Sequence, residues 1–195
     1  MAQEPLSTGL RRPSMPLTQK LIESKTLTSA AAVVTFSSIP STYDHLMIRT
    51  SIRTSRFNDG YADVSIRANG DSTTSYTSLA LSGHGGSTAG STGIQLNNTA
   101  AGFFLMSSVP TAISNYQLYY ANGYVFIPNY RTGNIKTGRF ESFAPTWTTS
   151  GQGILRQGIF SYNNSNAITS ITFTDENSAQ MQAGSTLDLY GLVNS

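Results

Sequence analysis

Asp44 and His45 stand side by side in the stretch Phe36 to Ser51, FSSIPSTYDHLMIRTS. A carboxylate, an imidazole and several serines are the residue types of a nucleophilic hydrolase. The spacing argues against that chemistry. In a triad the carboxylate meets the imidazole nitrogen remote from the nucleophile, whereas neighbours along a strand point to opposite faces. The stretch reads instead as a corner, in which the SIPST turn leads through Tyr43-Asp44-His45 into a strand. The second histidine, His84, opens the glycine-rich run GHGGSTAGSTG at 83 to 93. A phosphate cradle needs GxGxxG at a helix start, or GxxxxGK[ST]. Here Thr88 takes the third glycine position, no lysine follows and no helix is expected. Thr88 also occupies the centre of GSTAG, where a nucleophile elbow needs serine. The run reads as a surface contact loop around His84.

Two histidines and no cysteine cannot build a zinc site without several carboxylates, and Asp59, Asp63 and Asp71 are spread along the chain. Ten scattered acids form no glycosidase pair recognisable from spacing. The expectation is a protein without catalytic residues, metal or cofactor. Aromatic residues are the remaining signal: Tyr116, Tyr119, Tyr120, Tyr124, Phe126 and Tyr130 crowd one stretch, followed by Phe140, Phe143 and Trp147. Most such rings belong in a core or in cross-strand pairs. Tyr116, Tyr119, Tyr120 and Tyr124, with His84, are the residues expected to form a contact surface for protein or glycan.

The elements that must hold these residues are strands. From Lys20 onward short apolar or alternating runs recur between turn signals, which predicts an all-β sandwich. Strands are expected at 20–28, 31–36, 45–55, 61–68, 75–82, 102–108, 116–120, 123–130, 137–147, 153–162, 167–174 and 185–192. In the third, Leu46, Ile48 and Ile52 alternate with Met47, Arg49, Ser51 and Arg53; in the fourth, Ala62, Val64, Ile66 and Ala68 alternate with Asp63, Ser65 and Arg67. The Asn-Asp-Gly of RFNDG between them suits a hairpin, and ANGD at 68 to 71 marks the next turn.

At 195 residues one domain is expected, residues 20 to 195. Charged residues are 11%, against roughly 25% in an ordinary domain, so the surface is neutral and hydroxyl-rich. Residues 1 to 20 hold Arg11, Arg12 and Lys20 against Glu4; the rest has nine basic and nine acidic groups (12 − 3 and 10 − 1). A body of zero net charge is a poor nucleic-acid binder, and no nucleic-acid partner is expected. No run approaches the length of a membrane span, and no secretory signal is visible. Residues 1 to 19, with Pro5, Pro13 and Pro16, predict an extended arm. Leu6, Leu10, Arg11, Arg12, Met15 and Leu17 are its expected partner-binding residues, and such an arm reaches on the order of 60 Å.

Three segments together resemble a family: LIESKTLTSAAAVVTFSSIPSTYDHLMIRTSIRTS, then VFIPNY, then AITSITFTDENSAQMQAGSTLDLYGL. Their order is similar to that in a group of tailed-bacteriophage virion proteins, over Leu21 to Leu192. The resemblance implies a jelly-roll-like antiparallel β-sandwich on the virion. It implies either a capsid decoration (cement) protein that binds the major capsid protein, or a tail-fibre or spike domain that binds a host-surface glycan. The protein would be made in the host cytoplasm, work on the capsid surface rather than the tail, and form a dimer or trimer. Ile39, Pro40, Tyr43 and Leu46 match the family pattern, with Tyr43 as the core anchor of the corner. The absence of a coiled-coil or repetitive shaft favours decoration.

Overall fold

The structure, a computed structural model, describes residues 17–55, 62–84, 91–97, 103–107, 119–145, 153–175 and 179–194. These residues are all-β, and the twelve strands form two antiparallel sheets packed as a sandwich. The strands are β1 (Leu17–Thr26), β2 (Val33–Phe36), β3 (His45–Ile52), β4 (Asp63–Ala68), β5 (Tyr76–His84) and β6 (Ser91–Asn97). They continue as β7 (Phe103–Ser107), β8 (Ala121–Pro128), β9 (Lys136–Pro145), β10 (Gly153–Tyr162), β11 (Ile171–Asp175) and β12 (Thr186–Asn194). The large sheet has the order β1-β12-β3-β8-β9-β10-β5-β6 and the small one β2-β11-β4-β7.

Eight of the strands pair in nested fashion, β1 with β12, β2 with β11, β3 with β8 and β4 with β7. The other four, the consecutive pairs β5–β6 and β9–β10, widen the large sheet beyond β8. Alternation decides which side chains are inside. Leu46, Ile48 and Ile52 of β3 and Val64, Ile66 and Ala68 of β4 are buried between the sheets, with Phe36, Phe173, Leu187 and Leu189. A row of register partners runs along the inner face through Ala80, Gly158, Phe140, Val125, Ile48 and Leu189. A Cβ on Gly158 would come within 2.4 Å of the Phe140 ring, and one on Gly138 within 2.4 Å of the Phe160 ring. Each glycine thus makes room for the ring on the strand beside it.

The fold differs from the sequence expectation in several places. β3 and β4 are not a hairpin: β3 lies in the large sheet between β12 and β8, and β4 in the small sheet between β11 and β7. The turn chemistry permits reversal, but each strand has a full apolar face to bury and finds it against the opposite sheet. The glycine-rich run is shorter as a connection than expected, because Gly83 and His84 complete β5 and Ser91 begins β6. β1 begins at Leu17, pairing Leu17 with Asn194, so the backbone of this expected arm residue belongs to the sheet. Tyr119 and Tyr120 precede β8 rather than forming a strand, and Tyr116 lies outside the described residues. The expected ANGD turn is present: Asn69 and Gly70 have φ of 54° and 66°, and the Asp71 amide donates to the Ala68 carbonyl at 3.0 Å.

Tyr76 and Tyr162 stack in the interior with ring centroids 4.7 Å apart. The Tyr76 hydroxyl accepts from the Ala68 amide at 3.0 Å. Burial raises the pKa of Tyr76, of Tyr130 and of Tyr162, the last to about 12. The unfolded chain ionises these three tyrosines near pH 10 while the fold keeps them neutral, so the stability they contribute is complete below about pH 10 and lost as pH rises through the folded values. Lys136, whose pKa burial lowers, has the opposite slope, but it is one group against three. Thermal melts are expected to be level up to about pH 10 and then to fall, with Tyr162→Phe reducing the slope. Melting temperatures that stay level to about pH 11.5 refute this assignment of buried, neutral tyrosines.

Candidate functional site

Asp44 and His45 part company at the corner. The Asp44 carboxylate pairs with the Arg131 guanidinium at 2.5 Å, and His45 Nδ1 accepts from the Asn129 amide at 3.1 Å while its ring meets Phe126 edge-on. The corner itself is built by Tyr43, whose ring covers Gly191 of β12, and by Tyr130, whose hydroxyl donates to the Pro40 carbonyl. The Asp44 amide closes it on the Leu192 carbonyl at 2.8 Å. Among the described residues no three His, Asp or Glu side chains gather to hold a metal. Nor is any helix long and apolar enough to cross a membrane.

Of the expected contact residues, the structure describes Tyr119, Tyr120, Tyr124 and the backbone of His84. Tyr120 donates its hydroxyl to the Ala183 carbonyl at 3.0 Å and lies under the Arg53 guanidinium, beside the turn into β12. Tyr119, before it, is exposed. Tyr124 lies in β8 on the outer face of the large sheet, with the Arg139 guanidinium 5.8 Å from its ring centroid. His84 ends β5, opposite Ile154 and Ser91. Leu6, Leu10, Arg11, Arg12 and Met15 lie outside the described residues.

The outer face of the large sheet carries a feature that reading the chain did not single out. Leu79 and Leu81 of β5, Phe143 of β9, and Leu155 and Ile159 of β10 are 40%, 59%, 50%, 46% and 60% exposed. Scattered exposed leucines are ordinary, but these five share one face of three adjacent strands. Their exposed area is on the order of 500 Å², the size of the largest apolar patch on a typical monomer, which is often functional.

Register arranges this face in rows. One runs Leu79, Ile159, Arg139, Phe126, Met47, Tyr190; the next, Leu81, Gln157, Glu141, Tyr124, Arg49, Asp188. Leu155 and Phe143 are partners in a third. An open groove of about 640 Å³ lies over Leu79, Leu81, Arg139, Glu141 and Ile159, and a second of about 500 Å³ lies beside it over Phe126 and Pro128. Arg139 spreads over the rings of Tyr124 and Phe126. Glu141, one row away and exposed, makes no ion pair among the described residues.

The sign of the alternation in β5 explains why the patch is hard to find from sequence. YTSLALS alternates, but the inward side is Tyr76, Ser78, Ala80 and Ser82, and the larger aliphatic residues point out. Small residues suit the inside because β10 opposite them supplies Phe160 and Arg156, and the Arg156 Nε donates to Ser82 Oγ at 3.2 Å. The Arg156 guanidinium also pairs with Asp63 of the small sheet at 3.7 Å, tying the two layers together. The usable signal is a strand whose large residues and small residues fall on opposite faces, with serines on the small side.

No protein-family model, curated protein or solved structure matches the chain.

Proposed function

We propose that this chain is a structural protein of a tailed-bacteriophage virion, a capsid decoration protein that works by binding other protein subunits. The observation that carries the reading is the exposed apolar face of β5, β9 and β10. Its members are mainly aliphatic, which suits burial against protein; a glycan site would present more aromatic faces and hydrogen-bonding groups. The three segments that carry the resemblance also come together, which supports their acting as one structural unit. Tyr43 of SIPSTY covers Gly191 of LYG, and Tyr130 of IPNY bonds to Pro40. We further propose that the sandwich is a jelly roll. An eight-stranded hairpin folded over itself pairs first strand with last and so inward, and the four nested pairs fit that description, with β5–β6 and β9–β10 inserted.

In this reading the N-terminal arm makes the attachment to the major capsid protein. Deleting residues 1 to 16 is expected to leave the sandwich folded, because the β1 ladder to β12 begins at Leu17. Attachment to virions of the encoding phage should fall sharply, since each apolar side chain buried on a partner contributes about 1.5 to 3 kcal/mol before ordering costs. Thermal melting and co-sedimentation with particles measure the two effects. Full occupancy by the truncated protein refutes the role of the arm, and labelled protein imaged at the tail rather than over the head refutes decoration in favour of a fibre or spike.

A further inference from the structure

We infer that the apolar outer face of the large sheet is the interface of a two-fold homodimer, in which Arg139 of each copy pairs with Glu141 of the other. The inference rests on reading that face as a protein interface, and not on the virion.

Charge placement identifies a second copy as the occupant. Arg139 and Glu141 are opposite charges two residues apart on one strand and one face, both exposed. Neither has an ion-pair partner among the described residues. Consider an axis lying between two stacked sheets, running across the strands midway between the row of Arg139 and the row of Glu141. Rotation about it keeps each strand over its own copy and exchanges the two rows. Arg139 then faces Glu141 of the other copy, twice over, and Leu79 faces Leu81 twice over. The same residues thus supply both halves of each contact. A partner of unrelated sequence would need to present its own acid and base at this spacing.

Size and shape agree. Sheets stack about 10 Å apart with their strands within about 30° of one another, so long side chains such as arginine and glutamate reach across. The five strands from β3 to β5 in sheet order span about 24 Å, and seven residues run about 23 Å, a plane of about 550 Å² before side-chain relief. That approaches the roughly 800 Å² per partner of a standard interface. The backbone of β6, paired with β5, extends the plane at that edge. β1 lies at the opposite edge of the sheet from β5 and β6.

Sedimentation of the purified full-length chain at about 1 to 100 μM tests the inference. The expected species is a dimer. Ile159→Asp and Leu81→Asp should each give a monomer with an unchanged circular dichroism spectrum. Arg139→Glu alone and Glu141→Arg alone should each weaken the dimer about tenfold or more, since like charges then face each other. The double variant, with both swaps, should recover most of the loss, because each copy again offers acid to base. A wild-type chain that stays monomeric at the highest concentration overturns the inference. So does a dimer indifferent to Ile159→Asp, or a double swap as weak as the single ones. A wild-type monomer that dimerises only after residues 1 to 16 are removed also overturns it, and makes the chain's own arm the occupant. Failure to find the protein on particles, with the dimer intact, counts against the virion reading alone.

Discussion

Gly191→Ala is expected to destabilise the protein by about 3 kcal/mol, through displacement of a ring rather than through backbone strain. A Cβ at this position would lie 2.2 to 2.4 Å from Cγ, Cδ1 and Cδ2 of Tyr43. Those atoms are the root of the ring, so a small rotation about the end of the side chain does not relieve the overlap. Tyr43 must change χ1 and leave the corner, and its packing against the core goes with it. The position lies on the core side of β12, in register with buried Leu46, so the backbone has little freedom to retreat. A double-mutant cycle isolates the cause. In a Tyr43→Ala background the added methyl enters space the ring has vacated, and Gly191→Ala should then cost about 2 kcal/mol less than in the wild type. Urea unfolding of the four proteins gives the coupling directly. A cost that is the same in both backgrounds assigns the effect to the backbone of β12 and removes Tyr43 from the account.

The same corner shows how far the chain can be read. The turn at SIPST follows from local chemistry, and the alternation of β3 and β4 follows from strand period, because these depend on residues close in sequence; Tyr43 as an anchor comes only with the resemblance. The partner of Tyr43 is 148 residues away, and a glycine within LYGL carries no mark of what covers it. Pairing is non-local in the same way. RFNDG is chemically a good reversal, yet the strands on either side enter different sheets, because their apolar faces are buried by opposition and not by adjacency. In β5 the period was legible and its direction was not. Leu79 and Leu81 look like core residues until the rings of β9 and β10 are seen to fill the inner layer. β6 was concealed for another reason: STGIQLN is dominated by small and polar residues and follows a glycine-rich run, which reads as loop until β5 provides it with a ladder.

Lys136→Met is expected to cost about 3 kcal/mol, although most surface lysines can be replaced at almost no cost. The side chain is 1% exposed. Its Nζ donates to the carbonyls of Thr132 and Asn134, both at 2.7 Å, and lies 3.0 and 3.3 Å from those of Ser165 and Asn164. Two of these acceptors belong to the turn before β9 and two to the connection between β10 and β11, so one ammonium joins both loops at the same end of the sandwich. Burial lowers the lysine pKa, which works against the charge, while the surrounding carbonyl dipoles favour it. Methionine keeps the length of the stem and removes every donor, leaving the acceptors to find water or remain unpaired, and hydrogen bonds to a charged group are each worth about 1.5 to 3 kcal/mol. Arginine should not rescue the site, because its planar fork is larger than an ammonium and its donors diverge in one plane rather than toward a compact cage. Urea unfolding of the methionine and arginine variants tests both statements. Hydrogen exchange adds a local readout: the Asn166 amide, which donates to Asn164 Oδ1 at 2.9 Å, should lose protection in Lys136→Met before the strands do. A midpoint unchanged from wild type would mean that the two loops hold their positions without the lysine, and that its burial is a consequence of their packing rather than a cause.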